Sequence, residues 1–135
     1  MDISHIPFSS HIGISYIDNH LALSPSHQLE NHIGTIHASA LFTLAETASG
    51  AFLQEQFPKL SDKVIAILRS SNVKYKAPTK KTTLAYVSIS EEEKDRFITQ
   101  LKRKKRATIS VNVILKDTDN TTVMQGIFIW FVTYN

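Results

Sequence analysis

The chain has 135 residues, of which 42% are hydrophobic and 20% charged, so its size and composition are those of one globular domain rather than a disordered or fibrous protein. We expect a single domain spanning residues 1–135, because no linker-like segment divides it. The lack of cysteine excludes disulfides, thiolate metal sites and a cysteine nucleophile. The net charge of +3 is compatible with a phosphate-bearing partner.

The start of the sequence contains no pattern typical of export. Its first residues, MDISHIPFSSHIGIS, lack a basic start followed by a long apolar run. The longest apolar segments, residues 38–53 and 127–132, are shorter than the ~20 residues that a membrane-spanning helix requires. We therefore expect a soluble, cytosolic protein without a membrane partner.

An alternating pattern predicts that the chain opens with a β-hairpin. Apolar side chains alternate with polar ones across residues 11–16, and Asp18 and Asn19 favour a turn. A second strand is expected at residues 20–23. A polar loop then continues to Gly34.

A long apolar helix is predicted from about residue 37 to just before Pro58, since the residue preceding a proline disfavours helix. Leu41, Leu44 and Phe52 recur at helical spacing, and further apolar residues lie off this stripe. Such a helix is normally enclosed on most sides. Glu46 is nevertheless a charged residue in its middle.

Strand-like runs follow the helix at residues 64–75, 82–90, 107–115 and 123–134. The charged segment 91–101 predicts a short surface helix, and residues 117–120 predict a hairpin turn. Two strands, one enclosed helix and four more strands form an α+β arrangement. We expect a curved antiparallel β-sheet wrapped around one long central helix.

The carboxylate of Glu46 needs a reason to lie in an apolar helix, because burying an unpaired charge is costly. One hypothesis is a general base or nucleophile in a cleft, where desolvation raises its pKa. The other is a structural glutamate bonded to backbone, or to a distant lysine or arginine across a subunit interface. The residue alone leaves both open.

The residues around the helix start favour the first hypothesis. Gly34 allows a tight turn, and the unpaired backbone N–H groups near His37 and Ala38 form an anion site. Acyl transfer needs such donors for its oxyanion. The small side chain of Ala38 would let a substrate carbonyl approach, and Asn31 could orient a water molecule.

The residues from Asn31 to Glu46, NHIGTIHASALFTLAE, resemble the signature of hotdog-fold thioesterases. That signature contains a loop asparagine, a Gly-Thr pair, a histidine followed by small residues, and an acidic residue further along the helix. The type is the acyl-CoA thioesterase related to phenylacetic-acid-pathway enzymes, in a DUF4442-like branch. The segment NVKYKAP, residues 72–78, is similar to the Tyr-Pro segment that ends a strand in that family.

The resemblance implies hydrolysis of acyl-CoA or acyl-carrier thioesters. Glu46 would attack the thioester carbonyl or activate water, and the Ala38 N–H would bind the oxyanion. Asn31 and His37 would position the water or the thioester. The family also implies a homodimer or dimer of dimers with sites at the subunit interface. No metal is expected, and no cofactor other than CoA as part of the substrate.

The sequence departs from the family pattern at two places. Many relatives read His-Gly-Gly where this chain reads His37-Ala38-Ser39, which narrows the approach to the helix start. Some members also use a serine or threonine from the partner's strand before the Tyr-Pro segment. Three residues occupy that region, and the sequence does not single one out: Leu68, Ser70 and Ser71.

Basic residues form two groups that could screen the phosphates of a CoA tail. The first group surrounds Pro78 and consists of Lys74, Lys76, Lys80 and Lys81. The second is the run KRKKR at residues 102–106, for which a solvated loop between helix and strand is the alternative. No aromatic residue interleaves this run, so nucleic-acid binding is not expected.

Two other functions remain open. The chain could be a non-catalytic module that binds acyl-CoA or an acyl carrier, with Glu46 structural. A hydroxyacyl dehydratase is less favoured: the spacing of His32 and Glu46 is roughly that of the His/Glu pair in hotdog dehydratases, but the Gly-His-Phe-Pro context is missing.

Overall fold

The chain folds as an antiparallel sheet curved around a long helix, and the computed structural model describes residues 2–135. The helices are α1 (Pro7–His11), α2 (Ala38–Gln56) and α3 (Glu91–Lys104). The strands are β1 (Ser15–Ile17), β2 (His20–Leu23), β3 (Val64–Tyr75), β4 (Thr83–Ser88), β5 (Arg106–Asp117) and β6 (Thr122–Tyr134). The six-stranded sheet has the order β1-β2-β4-β5-β6-β3.

The inner face of the sheet packs against α2. Alternate side chains of β5, Ile109, Val111, Val113 and Leu115, are fully buried, as are Leu44 and Ala45 of the helix. Helix α2 contacts β2, β4, β5 and β6. Period-two burial on a strand that covers an apolar helix is what the sequence predicted. The hotdog fold, an α+β arrangement, is therefore confirmed.

Helix α3 is longer than the sequence predicted and packs against β5 on the inner face of the sheet. It starts at the N-cap Ser90, whose hydroxyl accepts the Glu93 N–H, and buries Phe97 and Leu101. Acidic residues fill its first turn and basic residues its last turn, which suits the helix dipole. It therefore takes in Lys102–Lys104, and the KRKKR run is not a loop.

The first strand begins later than the predicted residue 11, because a short helix precedes it. Residues 7–11 form α1, with Pro7 in the first turn, where a missing N–H costs nothing. The first strand begins only at Ser15, although its turn at Asp18 and Asn19 and its partner strand are as predicted. Of residues 11–16, only Ser15 and Tyr16 belong to β1, whereas His11 ends α1 and Ile14 is buried between the two elements.

Strand β3 lies at one edge of the sheet and, within residues 2–135, is paired only with β6. It is twelve residues long, and Ile65 and Ile67 are 51% and 57% exposed. A register shift between Leu68 and Ser70 marks a bulge at Arg69. A long apolar edge strand of this kind is a template for pairing with another chain.

No helix within residues 2–135 combines the length and apolar character needed to cross a bilayer.

Candidate active site

The loop before α2 is held together by the side chain of Asn31. Its Oδ1 accepts the N–H groups of Ile33 and Thr35, each at 3.0 Å, and its Nδ2 donates to Thr35 Oγ1 at 2.7 Å. Gly34 has φ 76, a left-handed conformation that favours glycine. The amide is thus used first to shape the turn, and one Nδ2 N–H is left for a ligand.

Capping of α2 leaves one donor free at the helix start. The ring Nδ1 of His37 accepts the Ser39 N–H at 2.9 Å, and the His37 carbonyl accepts from Ala40 and Leu41. The N–H of Ala38 has no acceptor among residues 2–135, and Ala38 is exposed. Since unpaired N–H groups make a helix start positive, this N–H is suited to binding a developing oxyanion.

The segment that follows β3 lies beside this helix start. The Tyr75 hydroxyl donates to the Ala38 carbonyl at 3.3 Å. The Ile36 N–H donates to the Thr79 carbonyl at 2.9 Å. The Tyr-Pro segment and the signature loop, far apart in sequence, are therefore neighbours in space.

The first basic group belongs to that segment, and all four of its side chains are exposed: Lys74, Lys76, Lys80 and Lys81. The Lys81 ammonium is paired with the Asp119 carboxylate, and this hydrogen bond raises the pKa of Lys81. The other three form no ion pair with a carboxylate within the described residues. They are available to an anionic ligand near Ala38.

The second basic group lies at the opposite end of the sheet. The Tyr134 N–H donates to the Lys105 carbonyl, and Tyr134 pairs with Val64 at the start of β3. Tyr75 ends the same strand, eleven residues later, so the two groups are separated by roughly 36 Å along β3. One phosphate tail bound at Ala38 of the same chain cannot reach both.

Glu46 lies half-buried on α2, two turns beyond the helix start. Its carboxylate has no hydrogen-bond or ion-pair partner within residues 2–135. Desolvation by burial raises its pKa above the ordinary glutamate value. A bond to backbone or to a cation of the same chain is therefore ruled out as the reason for this charge.

The carboxylate of Glu46 lies at a cavity of about 260 Å³. Among the residues that line this cavity, Glu46 is the only ionisable one. The larger side chains of the wall come from the end of α2 and the loop after it, from α3 and from β6: Leu53, Phe57, Leu60, Phe97, Trp130 and Val132. An apolar cavity with one carboxylate combines a binding space with a reactive group.

The two candidate groups of one chain, the Ala38 N–H and the Glu46 carboxylate, are too far apart to act on the same atom. Ala38 and Glu46 are eight residues apart on one helix, which corresponds to roughly 12 Å along its axis. A thioester carbonyl needs its oxygen within hydrogen-bond distance of the donor while its carbon is attacked. A single chain therefore supplies both halves of a site without joining them.

His32, the histidine of the dehydratase alternative, does not share the cavity of Glu46. It is exposed on the loop and is absent from the cavity wall. No cluster of three or more His, Asp or Glu side chains that could hold a metal ion occurs within residues 2–135.

The bulge in β3 determines on which face of the sheet Leu68, Ser70 and Ser71 lie. The sequence alone did not single out one of the three. Leu68 pairs with Trp130 and Ser71 pairs with the fully buried Phe128, so both lie on the inner, helix-facing side of the sheet. Ser70 pairs with Ile129 on the other side. Ser71 is therefore the hydroxyl residue of this region that lies on the side of the site.

A comparison with sequence models of protein families identifies the family of this chain. The sequence model of the family described as a domain of unknown function, DUF4442, matches residues 14–132. The chain belongs to the DUF4442 family. No curated protein matches it.

Several solved structures share the fold of this DUF4442 chain. A protein of unknown function from Chlorobaculum tepidum is 21% identical, with a TM-score of 0.80, and the match covers 98% of this chain and 89% of that one. A Bacillus halodurans protein solved with CoA is 23% identical, with a TM-score of 0.72 and coverages of 93% and 74%. A thioesterase from Haemophilus influenzae is 14% identical, with a TM-score of 0.71 and coverages of 94% and 82%.

Sequence reasoning missed part of the DUF4442 cavity. Trp130 was assigned to a strand face, but its ring lines the cavity and its Nε1–H donates to Ser49 Oγ at 2.9 Å. Ile6 and Ser9 were not considered, because no element was predicted before residue 11. The signal that could have revealed α1 was Pro7.

Proposed function

We propose that this protein hydrolyses acyl-CoA or acyl-carrier thioesters. The observation that carries the proposal is Glu46, a half-buried carboxylate without a partner in its own chain, placed at an apolar cavity. The free N–H of Ala38 supplies the second requirement of acyl transfer. The fold is shared with a protein solved with CoA and with a thioesterase, which supports the same class of substrate.

The proposed reaction uses Glu46 in its ionised form. Its carboxylate removes a proton from water while the water oxygen attacks the thioester carbonyl carbon, and the Ala38 N–H stabilises the resulting oxyanion. Collapse of this intermediate breaks the C–S bond, and the proton passes to the departing thiolate. The products are the carboxylic acid and the free thiol. Direct attack by Glu46, followed by hydrolysis of an anhydride, has the same overall balance.

A second copy of the chain would complete the site. The roughly 12 Å between Ala38 and Glu46 requires the donor and the carboxylate to come from two subunits. The unpaired edge of β3, with Ile65 and Ile67 exposed, offers a surface for symmetric pairing. We therefore propose a homodimer with two shared sites, which could pair further into a dimer of dimers.

The free lysines beside the helix start would hold the phosphates of CoA. Lys74, Lys76 and Lys80 lie in the segment that contacts Ala38 and Ile36, whereas residues 102–106 lie at the other end of the sheet. Exposed ammonium groups provide long-range attraction more than tight pairing.

Release of free thiol from a panel of acyl-CoA substrates tests the proposal. Ala38→Pro removes the proposed oxyanion donor without disturbing the helix. Proline is tolerated at the first helical position, and His37 already has the extended conformation that precedes proline. We expect the substitution to lower kcat by ~10²-fold or more while the helix is retained. Binding of acyl-CoA without any thiol release by the unmodified protein would instead indicate a non-catalytic binding module.

A further inference from the structure

The cavity at Glu46 extends along the second half of α2. Glu46 is the first residue of α2 in its wall and Gln54 the last, a span of roughly 12 Å. Beyond the helix the wall continues with Phe57 and Leu60. An acyl group whose carbonyl lies at Glu46 would therefore have its chain directed towards the end of the helix.

The hydroxyl and indole groups along this path already have partners, whereas Gln54 at its end is exposed. The hydroxyls of Ser9 and Thr47 are 2.8 Å apart and hydrogen-bonded to each other. The Trp130 indole is fixed by its bond to Ser49, and a Cβ on Gly50 would lie only 3.1 Å from the indole ring. A polar ligand would find few unsatisfied groups here, whereas an alkyl chain requires none.

The volume of the cavity limits the length of such a chain. A cavity of about 150 Å³ in another protein binds benzene, a six-carbon ring. In proportion, about 260 Å³ accommodates roughly ten carbons. Short acyl groups would leave part of the cavity empty, and longer chains would extend beyond it, because the cavity is partly open to solvent.

Part of the wall comes from outside the region that defines the family. The family match begins at residue 14, whereas Ile6 and Ser9 of the N-terminal segment line the cavity. The Ser9–Thr47 hydrogen bond ties α1 to α2 and so holds Ile6 at the cavity. The capacity of the cavity therefore depends in part on residues that precede the region matched by the family model.

We propose that this cavity binds an unbranched apolar acyl group of up to roughly ten carbons, and that Ile6 is part of the wall that sets its capacity. The inference rests on the proposed thioester hydrolysis for the position of the carbonyl, but the apolar space itself does not depend on turnover. The substrate class is thus a medium-chain acyl thioester.

An acyl-CoA series from acetyl to palmitoyl tests this with the complete protein. Each buried methylene is worth about 0.8 kcal/mol, so kcat/KM should rise roughly fourfold per methylene until the cavity is full. It should level off beyond roughly ten carbons. Equal kcat/KM from butyryl to palmitoyl would overturn the proposal.

Two variants should move this limit in opposite directions. Ile6→Ala removes three carbons from the wall and should lengthen the preferred chain by about three carbons. Ala66→Leu adds three carbons at an exposed position of the wall and should shorten it by a similar amount. Ile12→Ala is the matched control, since Ile12 is half-buried in the same segment but packs on the main core and not on the cavity.

Calorimetric binding of straight-chain fatty acids separates this inference from the proposed function. Affinity that increases with length up to roughly ten carbons, without thioester hydrolysis, would support the cavity and reject the hydrolase. Thioester hydrolysis without any preference for chain length would support the hydrolase and reject the assignment of the cavity. If Ile6→Ala and Ile12→Ala change the preferred length equally, or Ala66→Leu leaves it unchanged, the assignment of the wall is wrong.

Discussion

Burying the Glu46 carboxylate costs folding free energy, but the same surroundings suit the carboxylate to act as a base. A carboxylate without a partner in its own chain, half-buried beside an apolar cavity, is held in water-poor surroundings that raise its pKa. The sequence predicted that this residue would need a cavity or a partner, because it lies in the middle of an apolar helix. It could not indicate the partners of Asn31, since these depend on how the loop folds.

The raised pKa of Glu46 predicts how activity falls on the acid side of the pH profile. Because the ionised carboxylate is required, kcat/KM should fall as the pH drops through the pKa of Glu46, and the midpoint should lie above the ordinary glutamate value. A pH profile of kcat/KM for a good acyl-CoA substrate measures this midpoint. A midpoint at or below the ordinary value would mean that Glu46 is not the titrating base.

The same pKa shift has a defined effect on stability. A carboxyl group with a raised folded pKa contributes stability that is present below its unfolded pKa and is lost as the pH rises through the folded pKa. Glu46→Gln should therefore unfold at the same or a higher temperature than the unmodified protein near neutral pH. The difference in melting temperature between Glu46→Gln and the unmodified protein should shrink below about pH 4.5. A lower melting temperature for Glu46→Gln at neutral pH would instead reveal a cationic partner, such as one across a subunit interface.

At the scale of elements, periodic patterns succeeded where the segments were long. The central helix and the strands after it were found within a few residues, because burial repeats over many turns or pleats. The five-residue α1 was missed, since so short a helix shows no period. Helix α3 was predicted too short because its last turn consists of charged residues, which resemble a loop.

The separation of the two basic groups gives a prediction with a built-in control. Replacing Lys74, Lys76 and Lys80 with glutamine should raise KM for acyl-CoA by on the order of tenfold at low salt, with a smaller change in kcat. The effect should decrease at high salt, because the charges are exposed.

The matched control replaces Lys102, Arg103 and Lys104 with glutamine, and KM should then stay close to that of the unmodified protein. Steady-state kinetics at two salt concentrations measure both variants. Equal effects of the two triple substitutions would contradict the assignment of the CoA tail to the helix start.

At the scale of the whole molecule, the decisive features come from residues far apart in sequence. The cavity is walled by the N-terminal segment together with α2, α3, β3 and β6, so no local pattern could reveal its volume. The edge position of β3 likewise depends on the order of strands in the sheet. The sequence named Ala38 and Glu46 as candidates, but it could not indicate that one chain holds them roughly 12 Å apart.

Subunit complementation tests the shared site. Glu46→Gln chains lack the base and Ala38→Pro chains lack the donor, so each homodimer should be nearly inactive. In a mixed dimer one site receives both defects and the other receives none. Random mixing should therefore restore up to about a quarter of the unmodified activity, and mixed dimers purified through two affinity tags up to about half. Purified mixed dimers without activity would show that the two groups do not meet across subunits.

The most direct test of the central claim measures turnover and melting temperature on one preparation of Glu46→Gln. The substitution keeps the size of the side chain and removes the charge. If Glu46 is the base or nucleophile, thioester hydrolysis should fall by at least ~10²-fold while the melting temperature at neutral pH stays the same or rises. Retained hydrolysis together with a melting temperature lower by several degrees would contradict the account and show that Glu46 is structural.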